Sequence, residues 1–566
     1  MQSTLSSYSQ QSLQYRYWQA PRWQNPRFAS AVTEPIKLAP GGYFAPEVQF
    51  DRQFERVLGG VADYWIARMN KTGKRKPVIV AMDDSPLSKR YLPHVINYLV
   101  NRKLDVYTYY HEPWKELPMP LGQVAYFTRH FDRYNEPSKS VAGAIMLTAG
   151  SRPWRIGGMR FINSKGSLFD ANELASVEHY IATPRQEALN IPKMPVMGQR
   201  IDFDFMKGHY RENLQRLIDF QQIKSADLFT VYDARQGACK DEFRTIATQI
   251  IERWHHINDH FDTLGRKNTF NNSPNFDSSS LRRLSKECRY YGNTRNVNLA
   301  NNGDGSGCRL LDEKGRLISY KDMLALCLYH LVENKSQRGV LVKTHEQSGL
   351  PEQLAASYGI PVIDTPSGFH HIARESQKLT EPLLIAADGQ GGFILPYHIP
   401  VKDGLLMNFL MMELRAVTGK PFEKLLSELR ERLSHVYTHT QLQLKTPLAA
   451  HILHCFRNMA LRHFHLGPFR LDRVKTQQRY HWVKHRYGLS NDIKLYFEDG
   501  SSLVVRQQRE NPEKVDFFVS VALRKGLFDR ALSKKRQEKL AQLTNSLQRH
   551  LEIRFSIPRE RFSTIA

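Results

Sequence analysis

Three times along the chain an apolar run gives way to a polar or glycine-containing turn and then to apolar residues at helical spacing. Pro77-Val78-Ile79-Val80-Ala81-Met82-Asp83 leads towards a helix expected near 91–101. Leu228-Phe229-Thr230-Val231-Tyr232-Asp233 leads, past Gly237, into a helix expected through Ile246 to Trp254. Gly339-Val340-Leu341-Val342-Lys343-Thr344 precedes a helix over 350–358 and a further strand, Pro361-Val362-Ile363-Asp364. This alternation predicts α/β units built round mostly parallel sheets. The last part of the chain differs. Residues 493–500 and 502–506 form two strand patterns about Asp499-Gly500, and a strand over 515–521 precedes a final helix, which predicts an α+β end. The expected organisation is a flexible tail at 1–33, α/β units at 34–195, 196–318 and 319–440, a connecting segment at 441–478 and a last domain at 479–566. The Asn/Ser-rich stretch 268–280 reads as a loop inside the second unit.

Composition agrees with a multidomain protein. At 566 residues the chain exceeds what one core organises, and about 150 residues per domain suggests three to five domains. Hydrophobic content is 41% with a mean hydropathy of −0.50, and no apolar run reaches 18 residues; Leu405–Leu410 is far too short to span a bilayer. The first 27 residues, rich in Gln, Ser and Tyr, lack the apolar segment of a secretory signal. Cys239, Cys288, Cys308, Cys327 and Cys455 are scattered without CxxC spacing, which speaks against a disulfide framework and a zinc site and makes a reducing cytoplasm the expected location.

Charge adds a possible class of partner. Lys and Arg number 80 against 56 Asp and Glu, giving +24 and a pI near 9.7, enough to attract polyanions. The densest cluster is Arg524, Lys525, Arg530, Lys534, Lys535, Arg536 and Lys539, in an expected C-terminal helix. It reads either as a solvated helix face or as an anion-binding surface.

Candidate chemistry lies in glycine-rich loops between these elements. Asn301-Asn302-Gly303-Asp304-Gly305-Ser306-Gly307 is followed by Asp312-Glu313-Lys314-Gly315-Arg316. The frame resembles the DGDADR magnesium loop of the α-D-phosphohexomutases, the phosphoglucomutase/phosphomannomutase family. The resemblance extends over roughly 34–555 and implies three consecutive α/β domains with mixed, mostly parallel sheets plus a C-terminal α+β domain. Asn302, Asp304 and Ser306 then stand where three aspartates would hold the metal, so one carboxylate remains. Two unit charges 4 Å apart attract by about 4 kcal/mol at an effective dielectric of 20, so losing two carboxylates removes most of the grip on a cation that demands octahedral oxygen ligands. Gly307 replaces the arginine that ends the family loop.

The other family loops show the same substitution pattern. Thr148-Ala149-Gly150-Ser151-Arg152-Pro153 matches TASHNP with Gly150 at the nucleophilic serine, leaving Ser151, one place later, as the candidate nucleophile. Gly157-Gly158-Met159-Arg160-Phe161 resembles the NGIKV stretch that follows. Against GEESGG, whose glutamates hold sugar hydroxyls, the chain has Asp388-Gly389-Gln390-Gly391-Gly392, with Asp388 and Gln390 as candidate sugar contacts. His370, next to His371, replaces a basic residue of the family's TPVGFKYI and is a candidate catalytic group. The RPSGTEP phosphate clamp becomes Arg506-Gln507-Gln508-Arg509-Glu510-Asn511-Pro512; Arg506 and Arg509, with Arg152, are the candidate phosphate ligands. Phe44 stands at the arginine of FGTSGxR, and Ser85 at the arginine that often follows the first strand.

Framing residues are kept where reactive ones are missing. That pattern predicts a phosphohexomutase-like protein that has lost phosphoryl transfer and acts in binding, regulation or assembly. The alternative is an active but divergent phosphoglucomutase/phosphomannomutase using Ser151 and Asp304, and a second alternative is a polyanion-binding protein on this scaffold. No cofactor is expected under the first reading, whereas the active enzyme would use Mg2+. The expected partners are a sugar phosphate or other anion in the cleft, a protein, and polyanions at the C-terminal helix, with no membrane span.

Overall fold

The computed structural model describes residues 35–111, 115–134, 140–150, 152, 155–183, 204–235, 237–257, 281–291, 295–433, 435–459, 465–476, 491–508, 511–524 and 532–565. The expected N-terminal tail, the 268–280 loop, Ser151 and Arg509 lie outside the described residues.

Each apolar run becomes a strand at the centre of a sheet. In the first unit Val78–Met82 pairs in parallel with Val106–Thr108 and Gly143–Leu147, and Ile156–Asn163 then joins antiparallel, with Gly42–Pro46 beyond it. Phe229–Asp233 lies between Asn296–Asn301 and Arg253–Ile257, both parallel to it, and Cys308–Leu311 adds an antiparallel edge. The third unit repeats the plan. Val340–Thr344 sits between Val362–Thr365 and Leu383–Ala387, both parallel, with Phe393–Ile394 antiparallel at the edge. The loops that carry candidate chemistry therefore leave the carboxyl ends of strands, where ligands of open α/β sheets bind.

Local signals explain where helices start. Ser85 caps Pro86–Asn101 by accepting a hydrogen bond from Ser88 N, with proline in the first turn. Asp403 caps Gly404–Thr418 by accepting from the Leu405 and Leu406 amides. That helix contains Leu405–Leu410, and its residues are buried from Gly404 to Arg415. A helix apolar on every side needs cover on every side. It packs across the second unit, where Asn408 Nδ2 donates to Asn301 Oδ1 (2.6 Å) and Gly404 N to Gly305 O (2.8 Å). One hydrophobic core consequently runs through the first three units, from Ile79 to Phe243 to Leu414.

The last unit is antiparallel throughout, in the order Asp492–Tyr496, Ser502–Gln507, Lys514–Arg524, His435–Lys445, Phe562–Ile565. Gly500, at φ +84°, closes the hairpin about Asp-Gly. Side-chain alternation divides the sheet's two faces. Leu495, Val505, Phe517 and Leu444 pack under helices Ala449–Met459 and Leu532–Phe555, whereas Lys494, Arg506 and Asp516 face the third unit.

Two expectations are corrected. The boundary at 440/441 falls inside His435–Lys445, which pairs along its whole length with Lys514–Arg524; the last unit thus begins at His435, and the expected connector contributes this strand and a core helix. The second helix ends earlier than expected. Lys240–Ile250 stops before Trp254, which lies in the strand Arg253–Ile257, because Trp254-His255-His256-Ile257 pairs with the central strand. Among the described residues no helix is long and apolar enough to cross a membrane.

Candidate functional site

The loop after Gly143–Leu147 is held from below. Asp83, fully buried, accepts from Ser85 N (3.0 Å) and from Thr148 Oγ1 (2.7 Å), and Thr148 Oγ1 accepts in turn from Gly150 N (2.8 Å). Burial pushes the Asp83 carboxyl upward, opposed by hydrogen bonds from Ser88, Thr148 and Ser85. This brace presents Gly150 at φ +66°. A side chain there would place its Cβ 2.7 Å from Arg160 Nη2 and 3.5 Å from Asp304 Oδ2. The glycine is therefore filled round as well as conformationally special.

Asp304 arrives from the second unit. Its loop is pinned by Leu121 N donating to Asp304 O (2.9 Å), Ala238 N to Gly303 O (2.9 Å) and Asn301 Nδ2 to Gly307 O (3.0 Å). The candidate metal set does meet in space, but its polar atoms face one another. Asp304 Oδ1 accepts from Asn302 Nδ2 (2.9 Å), Ser306 N (3.0 Å) and Ser306 Oγ (2.6 Å), while Asn302 Oδ1 accepts from Gly307 N (2.8 Å). Asp304 Oδ2 accepts from Arg160 Nε (3.0 Å), a pair in which the carboxylate has no exposure and the arginine 14%. With no exposed carboxylate oxygen and the Asn302 carbonyl occupied, the residues present do not fit a divalent cation; a guanidinium supplies the positive charge instead. Among the described residues no group of three or more His, Cys, Asp or Glu is placed to hold a metal ion.

Phe44 forms the floor beside this pair. The Arg152 guanidinium lies 3.8 Å from its ring centroid and that of Arg160 5.6 Å, so the aromatic ring at the family's arginine position carries two arginines on cation–π contacts. Arg152 is half-buried.

The candidate sugar loop is turned inward. Asp388 Oδ1 accepts from the Gln390 and Gly392 amides (2.9 and 2.7 Å), and its Oδ2 pairs with Lys402 Nζ at 2.5 Å. Asp388 thus closes its own turn, while Gln390 is exposed. At Gly389 the missing side chain is replaced in space by another residue's: a Cβ there would overlap the Glu346 stem and lie 2.7 Å from Glu346 Oε1. Glu346 comes from the loop after Val340–Thr344, accepts from Ser367 Oγ (2.8 Å) and lies 3.6 Å from Arg506 Nη1. Arg506 in turn donates from Nε and Nη2 to Asp516 Oδ2 (3.1 and 2.8 Å). Burial works against its charge, but Glu346 and Asp516 outweigh it and raise its pKa. His370 sits in the first turn of Phe369–Ser376 with its ring centroid 4.0 Å from that of His371.

The structure therefore brings Gly150, Arg152, Asn302, Asp304 and Ser306 together, and separately gathers Asp388, Ser367 and Arg506 where the third and fourth units meet. Sequence reasoning did not assign roles to Arg160, Glu346 or Lys402. Arg160 carried a signal, since it is the one charged residue between the buried Met159 and Phe161 of a strand and so points to the opposite face. Glu346 carried none, because its place depends on the pairing of two loops 43 positions apart.

Comparison with known proteins accords with this geometry. Residues 52–188 match the description "Phosphoglucomutase/phosphomannomutase, alpha/beta/alpha domain I" and residues 321–433 the corresponding domain III. A phosphoglucomutase/phosphomannomutase of Thermococcus kodakarensis is 24% identical over 366 residues, 64% of this chain and 73% of that protein. A phosphoglucosamine mutase of Maricaulis maris is 24% identical over 311 residues, 55% of this chain and 64% of the relative. The pp63/parafusin phosphoglucomutase of Paramecium, in an open form, superposes with a TM-score of 0.68 at 14% identity, covering 91% of this chain and 96% of that one. A Burkholderia thailandensis protein of the phosphoglucomutase/phosphomannomutase family superposes at 0.67 with 13% identity and the same coverage. These superpositions establish the fold, and the two domain matches identify residues 52–188 and 321–433 with domains I and III of the phosphoglucomutase/phosphomannomutase family.

Proposed function

We propose that this protein has given up the phosphoryl relay of its family and works through binding, as a regulatory or assembly protein whose cleft still accommodates a sugar phosphate or another small anion. One observation carries the reading: the Arg160–Asp304 ion pair beside Gly150. A relay through the enzyme needs a nucleophile that takes a phosphoryl group, and a cation that neutralises it as the P–O bonds break and form. Glycine at 150 has no oxygen to attack phosphorus. The one retained carboxylate of the metal loop is satisfied by an arginine and by its own loop. The same self-satisfaction recurs at Lys402–Asp388 and at Arg506 with Asp516. Cations already paired within the protein offer less to a transferring phosphate than free ones, because a ligand must compete with the internal carboxylate.

The second reading is an active mutase with altered geometry, using Ser151. It draws on the names of the curated relatives, phosphoglucomutase/phosphomannomutase and phosphoglucosamine mutase, and on the retention of Asp304 at the bottom of the site. The two readings part in a coupled assay for hexose 1-phosphate to 6-phosphate conversion, run with Mg2+ and a hexose 1,6-bisphosphate, and in mass spectrometry of the peptide containing Ser151. The relay-free protein gives neither turnover nor phosphoserine. Turnover at rates typical of enzymes, about 1–1000 per second, or stoichiometric phosphoserine at Ser151, overturns the first reading.

A further inference from the structure

We infer that the outer, helical layer of the last domain is a docking surface for the phosphodiester backbone of duplex nucleic acid. The inference is independent of what the cleft does. Its first support is where the charge lies. Residues 435–566 contain 24 Lys and Arg against 11 Asp and Glu, so this quarter of the chain carries +13 of the total +24.

The fold then sorts that charge. Because side chains alternate across the antiparallel sheet, Asp492 and Asp516 are buried on the face towards the third unit, where Asp492 accepts from Ser367 N (2.7 Å) and Asp516 binds Arg506 (2.8 Å). Asp499 pairs with Lys539 at 2.8 Å. Those acids are spent internally. The opposite face is covered by Leu532–Phe555, whose Leu540, Leu543, Leu547 and Leu551 point into the core at spacings of three and four. Of the remaining positions, Lys534, Lys535, Arg549 and Arg554 are exposed. Beside them lies the hairpin of His465–Leu466 and Phe469–Arg470, whose Gly467 packs against Ser546 of the helix; Arg470 and Arg473 are exposed on this flank. Glu538 and Glu552 are the exposed acids of the helix, and Glu552 is paired with Arg559 at 3.2 Å.

The shape of this patch selects the partner. A 24-residue helix is about 36 Å long, close to one turn of duplex, so its two basic ends can reach backbone phosphates that a small anion could not bridge. A protein partner would call for an apolar centre within the patch, and Leu540, Leu543, Leu547 and Leu551 face inward; among the described side chains of the helix Ile553 is the one large exposed apolar group. Recognition through phosphates alone is independent of sequence and steeply dependent on salt.

The test uses the full chain and fluorescein-labelled 24-base-pair DNA and RNA duplexes, read by anisotropy from 50 to 200 mM KCl. With about six phosphate contacts, affinity falls on the order of a thousandfold over that range. The triple variant Lys534→Glu, Lys535→Glu, Arg549→Glu weakens binding more than tenfold and lowers the salt slope by about 3. A second triple variant, Arg52→Glu, Lys74→Glu, Lys286→Glu, changes net charge equally at exposed positions of the first two units and leaves binding within twofold. Preference for DNA or for RNA in the paired titrations tells which duplex is the partner. Absence of binding, binding insensitive to salt, equal loss in the two variants with unchanged circular dichroism and Tm, or binding to heparin but to neither duplex overturns the inference.

Discussion

Gly150 and Arg160 together decide what this site can do. A side chain at 150 would meet the Arg160 guanidinium at 2.7 Å and adopt a left-handed backbone at φ +66°, so restoring a hydroxyl requires the arginine to move as well. Arg160 stays because Asp304, without exposure, needs a positive partner; removing one member of a buried pair leaves an uncompensated charge. Arg160→Ala is therefore expected to lower stability by about 3 kcal/mol. It also frees Asp304 Oδ2, so millimolar Mg2+ should raise the Tm of this variant while leaving that of the native protein unchanged. Differential scanning fluorimetry with and without Mg2+ checks both, and a Tm of the variant that does not respond to Mg2+ would show that the guanidinium does not occupy a cation's place.

Between elements, a buried polar network joins the third and fourth units. Lys494 of the strand Asp492–Tyr496 reaches Glu352 Oε1 (2.8 Å) and Asp364 Oδ2 (3.1 Å); Lys343 binds Glu352 (2.6 Å) and Asp364, and Tyr496 OH donates to Asp364 (2.7 Å). Lys343, Lys494 and Asp364 have no exposure, and Glu352, a quarter exposed, marks the network's solvent edge. Burial raises the Glu352 carboxyl, but the ammonium groups of Lys343 and Lys494 override it and hold the pKa at about 2. Lys494→Ala strips two carboxylates of a partner and should destabilise the chain by about 3–5 kcal/mol. It should also open the junction to limited proteolysis, seen as earlier cleavage between residues 433 and 445; an unchanged digestion pattern would separate docking from this network. Elements were also where sequence reading strayed. Trp254 looked helical by apolar spacing, yet the open edge beside Phe229–Asp233 recruits it into a strand, and His435–Lys445 looked like the end of one domain until its pairing assigned it to the next.

Over the whole molecule, acid should loosen the fourth unit. Glu352, with a folded value of about 2 against an ordinary 4.5, contributes stability that is complete above about 4.5 and is lost as pH falls from there towards 2. Small-angle scattering across pH 6 to 3 is expected to show the radius of gyration rising below about 4.5 as the fourth unit undocks, with the first three units, joined by one core, holding together longer. Expansion that begins above pH 5 would point to another set of groups. The pleat of the last sheet turns Asp492 and Asp516, together with Lys494 and Arg506, towards the third unit, while the exposed lysines and arginines of Leu532–Phe555 lie on the helix that covers the opposite face.

From the order of residues alone came the three α/β units, the antiparallel end, the family frame of the loops and the absence of a side chain at 150, because strand and helix periods and glycine positions are local properties of a chain. Tertiary structure decided what replaced the missing groups. Arg160 reaches Asp304 across 144 positions, Glu346 fills the space beside Gly389, and Lys494 binds Asp364 across 130. Which charge neutralises which is set by the distances at which folded loops meet, and in a low-dielectric interior that pairing determines whether a carboxylate holds a metal, a ligand or a neighbouring arginine.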